Sequence, residues 1–149
     1  MATSKWQSII TAILAQLRTI KTTAGYETNA GNNVFEWRAT PVEEGEMPGI
    51  VLRDTFPEEI ITIGAHEHTL LIELFVFTTG ATATTQARSV IADITKAMGA
   101  VDRTWGGLAE DTQPAPGSGM GTEQANKLSA VALKSFYVAF TTEPYNPYA

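Results

Sequence analysis

Cysteine is absent from this chain of 149 residues, and histidine occurs only twice. Without cysteine, the chain can form neither a disulfide framework nor a thiolate metal site nor a cysteine nucleophile. Two histidines leave few candidates for a general base or for the nitrogen ligands of a metal. What remains is a composition rich enough in apolar residues, at 44% hydrophobic, to build one ordinary folded core.

Basic residues and long hydrophobic runs are also scarce. Ten Lys and Arg stand against sixteen Asp and Glu, which gives a formal net charge of -6. That sign is wrong for a protein that wraps nucleic acid by neutralising phosphates, although an acidic wall suits a conduit past which DNA slides. The stretch from Met1 to Lys5 leads into an amphipathic segment rather than an apolar one. We therefore expect a soluble chain with neither a signal peptide nor a membrane span.

The first predicted element is an amphipathic helix whose apolar residues recur every three or four positions. Ser4 and Gln7 form a capping-box pair at its start. Gly25 can adopt the left-handed conformation that terminates helices, so we expect this helix to end near Thr22.

Runs of β-prone residues complete the prediction of an α+β domain. A second amphipathic helix, capped by Thr84 or Thr85, should end at Gly99. We predict a mixed or antiparallel sheet with both helices packed on one face, in the order α-β-β-β-α-β. The run from His66 to Thr78 is apolar on both sides, which is typical of a central strand with both faces largely covered. The predicted strands are 34–38, 50–54, 60–63, 66–78 and 128–142.

Residues 1–149 are predicted to form a single domain with two unusual segments. Residues 106–126 are rich in Gly, Pro and Ser and lack a hydrophobic period, which indicates a long loop. Residues 143–149 form an extended tail, in which Pro144 and Pro147 prevent a regular central strand. The two longest strands would reach about 45 and 50 Å, more than a subunit of this size can cover. We interpret the overhang as surface for another subunit.

The sequence identifies no catalytic, cofactor-binding or metal site. His66 and His68 would point to the same face of a strand and supply two nitrogen ligands, but a zinc site needs at least a third. We interpret them as the exposed start of a strand and keep a metal-dependent enzyme as the alternative of a different class. The segment Gly117–Gly121 lacks the Lys-Ser/Thr ending of a phosphate loop, and the serines lie in no nucleophile-elbow pattern. We therefore predict no enzyme activity and no cofactor.

Several segments spread over the chain combine into a pattern of spacing and composition. They are the end of the first helix with the turn after it, 17–26 and 28–34, the run 37–41, the strand 70–77, the helix containing Arg88 and Asp93-Ile94, and the closing run 138–144. In this pattern the chain resembles the tail terminator proteins of long-tailed bacteriophages, also called tail completion or minor tail proteins. The resemblance covers nearly the whole chain and rests on no signature motif.

The resemblance implies a virion protein that forms a hexameric ring, terminates the tail tube and joins it to the head-side connector. Its expected partners are further copies of itself, the tail tube protein and the connector or neck protein, with genomic DNA only in transit through the lumen. It implies no membrane and no cofactor, and a place at the head-tail junction after synthesis in the host cytoplasm. A related alternative is another neck or head-completion protein, or a tail tube subunit.

A ring of acidic subunits around DNA should carry more acidic than basic side chains on its inner wall. The alternative is that these side chains face outward and keep the chain soluble. The candidates in the sequence are Glu43, Glu44, Glu46, Glu110 and Asp111.

Overall fold

The computed structural model describes residues 2–117, 119–124 and 127–149, which form two α-helices and one six-stranded sheet. The helices are α1, Lys5–Leu17, and α2, Ala83–Gly99. The strands are β1, Val34–Glu36; β2, Gly49–Thr62; β3, Ala65–Thr79; β4, Asp111–Pro114; β5, Gly119–Gln124; and β6, Leu128–Thr142. The sheet order is β1-β2-β3-β6-β4, and β5 also pairs with β6. Because β1 runs parallel to β2 while the other pairs are antiparallel, the sheet is mixed and the predicted α+β class is confirmed.

Helix α1 forms where the sequence predicts it but ends earlier. Ser4 caps the helix by accepting a hydrogen bond from the backbone N–H of Gln7 at 3.1 Å, as expected. The predicted end near Thr22 is wrong, because the helix stops at Leu17 and the backbone N–H of Ile20 donates to the Leu17 carbonyl in a tighter turn. This turn places Ile20 in the core, where it is fully buried.

The predictions for the other helix ends are confirmed in part. Gly25 takes the predicted left-handed conformation, with a φ of 90°, but it ends a short 3-10 turn beyond α1. Helix α2 begins after Thr82, so the cap predicted at Thr84 or Thr85 is wrong. It ends at Gly99, as predicted.

The long strands define the centre of the sheet. β3 lies between β2 and β6, which confirms it as a central strand, and β6 covers the predicted range 128–142. The two predicted pieces 50–54 and 60–63 belong to the single strand β2, except for Ile63, which lies in the turn after it. A register shift between Thr55 and Glu58 lets β2 accommodate extra residues and continue to pair with β3.

The helices cover only one face of the sheet, which we call the helix face. On β3 the residues of this face are Leu70, Ile72, Leu74 and Val76, and all four are fully buried against α1 and α2 in one hydrophobic cluster. The alternate residues of β3, from Leu71 to Phe77, are only half-buried and do not belong to that cluster. The helix face of β3 is therefore fully buried, whereas its other face is only partly covered.

A buried carboxylate on α2 holds the segment that leads to β1. Asp93 is 2% exposed and accepts hydrogen bonds from the backbone N–H of Glu27 at 3.1 Å, the backbone N–H of Thr28 at 2.8 Å and the Thr28 hydroxyl at 2.7 Å. Three donors satisfy much of the hydrogen-bonding capacity of a carboxylate taken out of water. Asp93 thus fixes where the chain returns from α1 to the sheet.

The segment 106–126 contains two strands, so its prediction as a loop without secondary structure is wrong. β4 and β5 both pair with β6, while Ser118, Ala125 and Asn126 lie outside the described residues. All residues of β5 are exposed. Backbone hydrogen bonds to β6 form this strand without burial of its side chains, so its sequence carries no hydrophobic alternation.

Candidate functional site

The two histidines lie on the helix face at the start of β3, as predicted, but His66 is not exposed. It is 5% exposed, its Nδ1 lies 3.0 Å from Oε1 of Glu59, and its ring packs edge-on against Tyr145 with a centroid distance of 5.0 Å. Its Nε2 is buried without a hydrogen-bond partner among the described atoms. The interpretation of His66 as an exposed strand start is wrong, because its ring is buried and contacts both Glu59 and Tyr145 of the carboxy-terminal tail.

His68 is held by the neighbouring strand β6. Its ring stacks on Phe140 at 4.6 Å, and its Nε2 lies 3.0 Å from the hydroxyl oxygen of Thr142. Burial lowers the pKa of His68, so the ring is neutral near pH 7. Within the described ranges, no three His, Asp or Glu side chains are grouped so that they could hold a metal ion.

Three of the acidic lumen candidates are engaged by basic side chains, and two of these, Glu46 and Glu44, lie in the same short turn. Glu46 receives two hydrogen bonds from the Arg38 guanidinium, at 2.6 and 2.7 Å, and these hold the pKa of the Glu46 carboxyl below its usual range. Glu44 forms an ion pair with Lys127. Each of these pairs balances one negative charge within the subunit, so neither acid contributes a free charge to a channel wall.

The remaining three candidates differ in their surroundings. Asp111 begins β4 and pairs with Arg103 at 2.7 Å; a hydrogen bond from Gln113 is the main cause of its lowered pKa. The Glu43 side chain caps the short 3-10 turn that follows it. Glu110 is exposed, and its carboxylate has no hydrogen bond or ion pair with any described residue. Its backbone N–H donates to the carbonyl of Ala139 at 2.7 Å, which fixes its position on the sheet.

The sheet face opposite the helices, which we call the open face, is apolar and aromatic. Its middle row crosses four neighbouring strands and consists of Phe35, Val51, Phe75 and Leu133, which are paired in register. The row beside it contains Arg53 and Glu73, which are the charged residues at the centre of this face. The apolar residues of the open face are Phe35, Val51, Leu71, Phe75, Phe77, Val131, Leu133 and Tyr137.

Arginine side chains lie over the aromatic rings of the open face. The Arg53 guanidinium carbon is 5.1 Å from the centroid of the Phe75 ring, and that of Arg38 is 4.4 Å from the Phe35 ring. These are cation–π distances. Arg53 is exposed and forms no ion pair with a described residue, so its charge is available at the surface of the open face.

A second apolar surface lies at the turn between β2 and β3. We call residues 59–68, which form the end of this hairpin, the arm. Ile60 and Ile61 are more than half exposed, and Ile63 in the turn is fully exposed. Exposure of three isoleucines within four residues is unusual for a subunit that functions alone.

A hollow of about 580 Å³ lies between α1 and residues 101–106, and its walls are mainly apolar. Its lining carboxylate, Asp102, accepts hydrogen bonds from the backbone N–H and the hydroxyl of Thr104, which lower the pKa of Asp102. This engaged carboxylate is not paired with a nucleophile or a base in the lining. The arrangement supports no acid-base chemistry.

Sequence reasoning missed both exposed apolar surfaces. The odd-numbered residues of β3 carried the signal for the open face, because Leu71, Phe75 and Phe77 form an apolar stripe of their own. The signal for the arm was an isoleucine placed directly before the turn residue Gly64. Hairpin turns are normally polar, so a fully exposed isoleucine at this place is unusual.

Compared with known proteins, the chain matches no family model, and no curated protein is similar to it at a significant level. Neither described helix has the length and apolar character needed to span a membrane.

Proposed function

We propose that this chain is a structural virion subunit that forms a ring, terminates the tail tube of a long-tailed bacteriophage and joins it to the head-side connector. The observation that carries the proposal is the presence of two separate apolar surfaces that the helices leave uncovered on one small subunit. They are the open face, on which Val131 and Tyr137 are exposed and most of the other apolar residues half-buried, and the arm, whose isoleucines are exposed. A subunit that binds copies of itself through two different surfaces assembles into rings or filaments.

The dimensions of the sheet support the same proposal. β2, β3 and β6 contain 14, 15 and 15 residues, whereas strands of five or six residues are usual. At about 3.3 Å per residue they reach roughly 46 to 50 Å. The two helices, of 13 and 17 residues, span only about 20 and 26 Å, so they leave part of the sheet uncovered.

We expect purified protein to assemble into a closed homo-oligomer of six copies, alone or on tail tubes. Mass photometry and sedimentation at several concentrations measure the copy number, and an image of the head-tail junction with this subunit labelled measures its place. A chain that stays monomeric at high concentration and on tail tubes contradicts the proposal. A ring found elsewhere in the particle makes the chain another neck or tube component instead.

Glu110 is the best lumen candidate, because its charge is not balanced within the subunit. Six copies at a net charge of -6 carry roughly -36, and a narrow channel concentrates such a field. Glu110→Lys should leave ring assembly intact but slow genome ejection at low salt, and added salt should restore the rate by screening phosphate contacts. Ejection is followed by fluorescence of released DNA.

Two matched variants separate charge reversal from other effects of the Glu110 substitution. Glu110→Gln removes the charge without adding a cation and should slow ejection less than the lysine variant does. Glu43→Lys tests the other candidate that lacks a basic partner. Ejection at the wild-type rate in low salt for both lysine variants, or a ring structure with a predominantly basic inner wall, contradicts an acidic lumen.

A further inference from the structure

The arm and the open face have complementary chemistry. The arm carries exposed isoleucines together with exposed Glu59 and Glu67, and no Lys or Arg occurs anywhere from residue 54 to residue 87. The open face offers aromatic rings and the exposed guanidinium of Arg53. An apolar, acidic projection therefore matches an apolar surface that presents a cation.

The arm and the open face of one subunit cannot contact each other. Arg53 is paired in register with Glu73, and Glu67 lies six residues earlier on the same strand, which is about 20 Å away along an extended chain. Although β2 has a register shift at the base of the arm, β3 pairs with β6 without a break from His66 to Thr79, so the arm is held in the sheet and does not fold back onto the open face. Any contact between arm and face is therefore a contact between two copies.

We propose that the arm of one copy packs across the open face of the next copy, with Ile63 against the aromatic rings and Glu67 beside Arg53. This inference rests on the proposed function and names the interface through which the ring forms. The contact is heterologous because the arm and the open face are different surfaces, so every copy uses its arm toward one neighbour and its face toward the other. A face-to-face pairing of two open faces would instead end in a dimer.

The first test is Ile63→Asp in the full chain, measured by mass photometry across a concentration series. Ile63 is fully exposed in a turn, so the substitution leaves the folded subunit intact, as circular dichroism can verify. We expect the concentration needed for half-assembly to rise about tenfold or more, since an apolar anchor is replaced by a charge. Met120→Asp is the matched control, because Met120 is an exposed apolar strand residue that faces the helix side of β5 and should assemble as wild type.

The second test is a charge swap. Glu67→Arg and Arg53→Glu should each weaken assembly, and the double variant should recover most of the loss because it restores the ion pair with its sign exchanged. Recovery distinguishes a direct contact from two independent effects. Both side chains are exposed, so neither substitution disturbs the core.

Three outcomes overturn the inference without touching the proposed function. The first is Ile63→Asp rings that form as readily as wild type, and the second is a double variant that is no better than its single variants. The third is weakened assembly in Arg53→Glu together with wild-type assembly in Glu67→Arg, which indicates self-pairing of the open face. Failure of the wild-type chain to assemble under any condition is the separate result that removes the proposed function itself.

Discussion

Replacing Asp93 with Ala should lower the free energy of unfolding by about 3 kcal/mol, because three donors, two of them buried, lose their shared acceptor. The backbone N–H groups of Glu27 and Thr28 and the Thr28 hydroxyl all donate to this carboxylate. Alanine supplies no acceptor, and Asp93 is too deeply buried for water to replace it without rearrangement. Urea unfolding followed by tryptophan fluorescence measures the loss.

Ser89→Ala is the matched control on the same helix. Ser89 is only half-buried and donates a solvent-exposed hydrogen bond to the Thr85 carbonyl within α2, so its replacement should change stability by less than about 0.5 kcal/mol. Thr28→Val removes one of the three donors to Asp93, and its loss of stability should lie between those of Asp93→Ala and Ser89→Ala. A loss below about 1 kcal/mol for Asp93→Ala would show that the segment before β1 folds without this anchor.

Ile72→Ala should be far more destabilising than Leu71→Ala, although the two residues are neighbours on β3. Ile72 is fully buried against the helices, so its truncation leaves a cavity and should cost about 2 to 5 kcal/mol. Leu71 lies half-buried on the open face, where solvent can occupy the space, and its truncation should cost about 1 kcal/mol. Urea unfolding compares the stability of the two variants, at protein concentrations low enough to keep the chain dissociated.

The variants Leu71→Ala and Ile72→Ala also test the role of the open face in assembly. In the assembled protein, Leu71→Ala should weaken subunit association in addition to its small effect on folding, whereas Ile72→Ala should act through folding alone. Equal losses of stability for both variants in the dissociated chain would mean that the open face is already covered within one subunit, contrary to the structure.

Secondary structure followed from sequence where the apolar period was strong. The run from His66 to Thr78, apolar on both sides, predicted β3, and the helical spacing predicted α1 and α2. The errors fall where backbone hydrogen bonds rather than side-chain burial define the element. β5 is the clearest example, because all of its residues are exposed and only pairing with β6 makes it a strand.

The candidate site was predicted less well than the fold. The overlong strands indicated surface for another subunit, yet their sequence did not indicate that the arm is part of it. A hairpin of β2 and β3 could be foreseen, but the exposure of Ile63 follows from how far the hairpin extends past the helices. The burial of His66 likewise depends on Tyr145, which is distant in sequence and adjacent in space.

The sequence by itself determined the α+β class, the central position of β3 and the acidic balance of the chain, because periodicity and charge are local properties that can be counted along the chain. The tertiary structure decided which apolar stripe of β3 became core. Both stripes are apolar enough to be buried, but two helices can cover only one face of a sheet. They pack on Leu70 and its even-numbered neighbours, and this choice leaves Leu71, Phe75 and Phe77 at a surface where another molecule can bind.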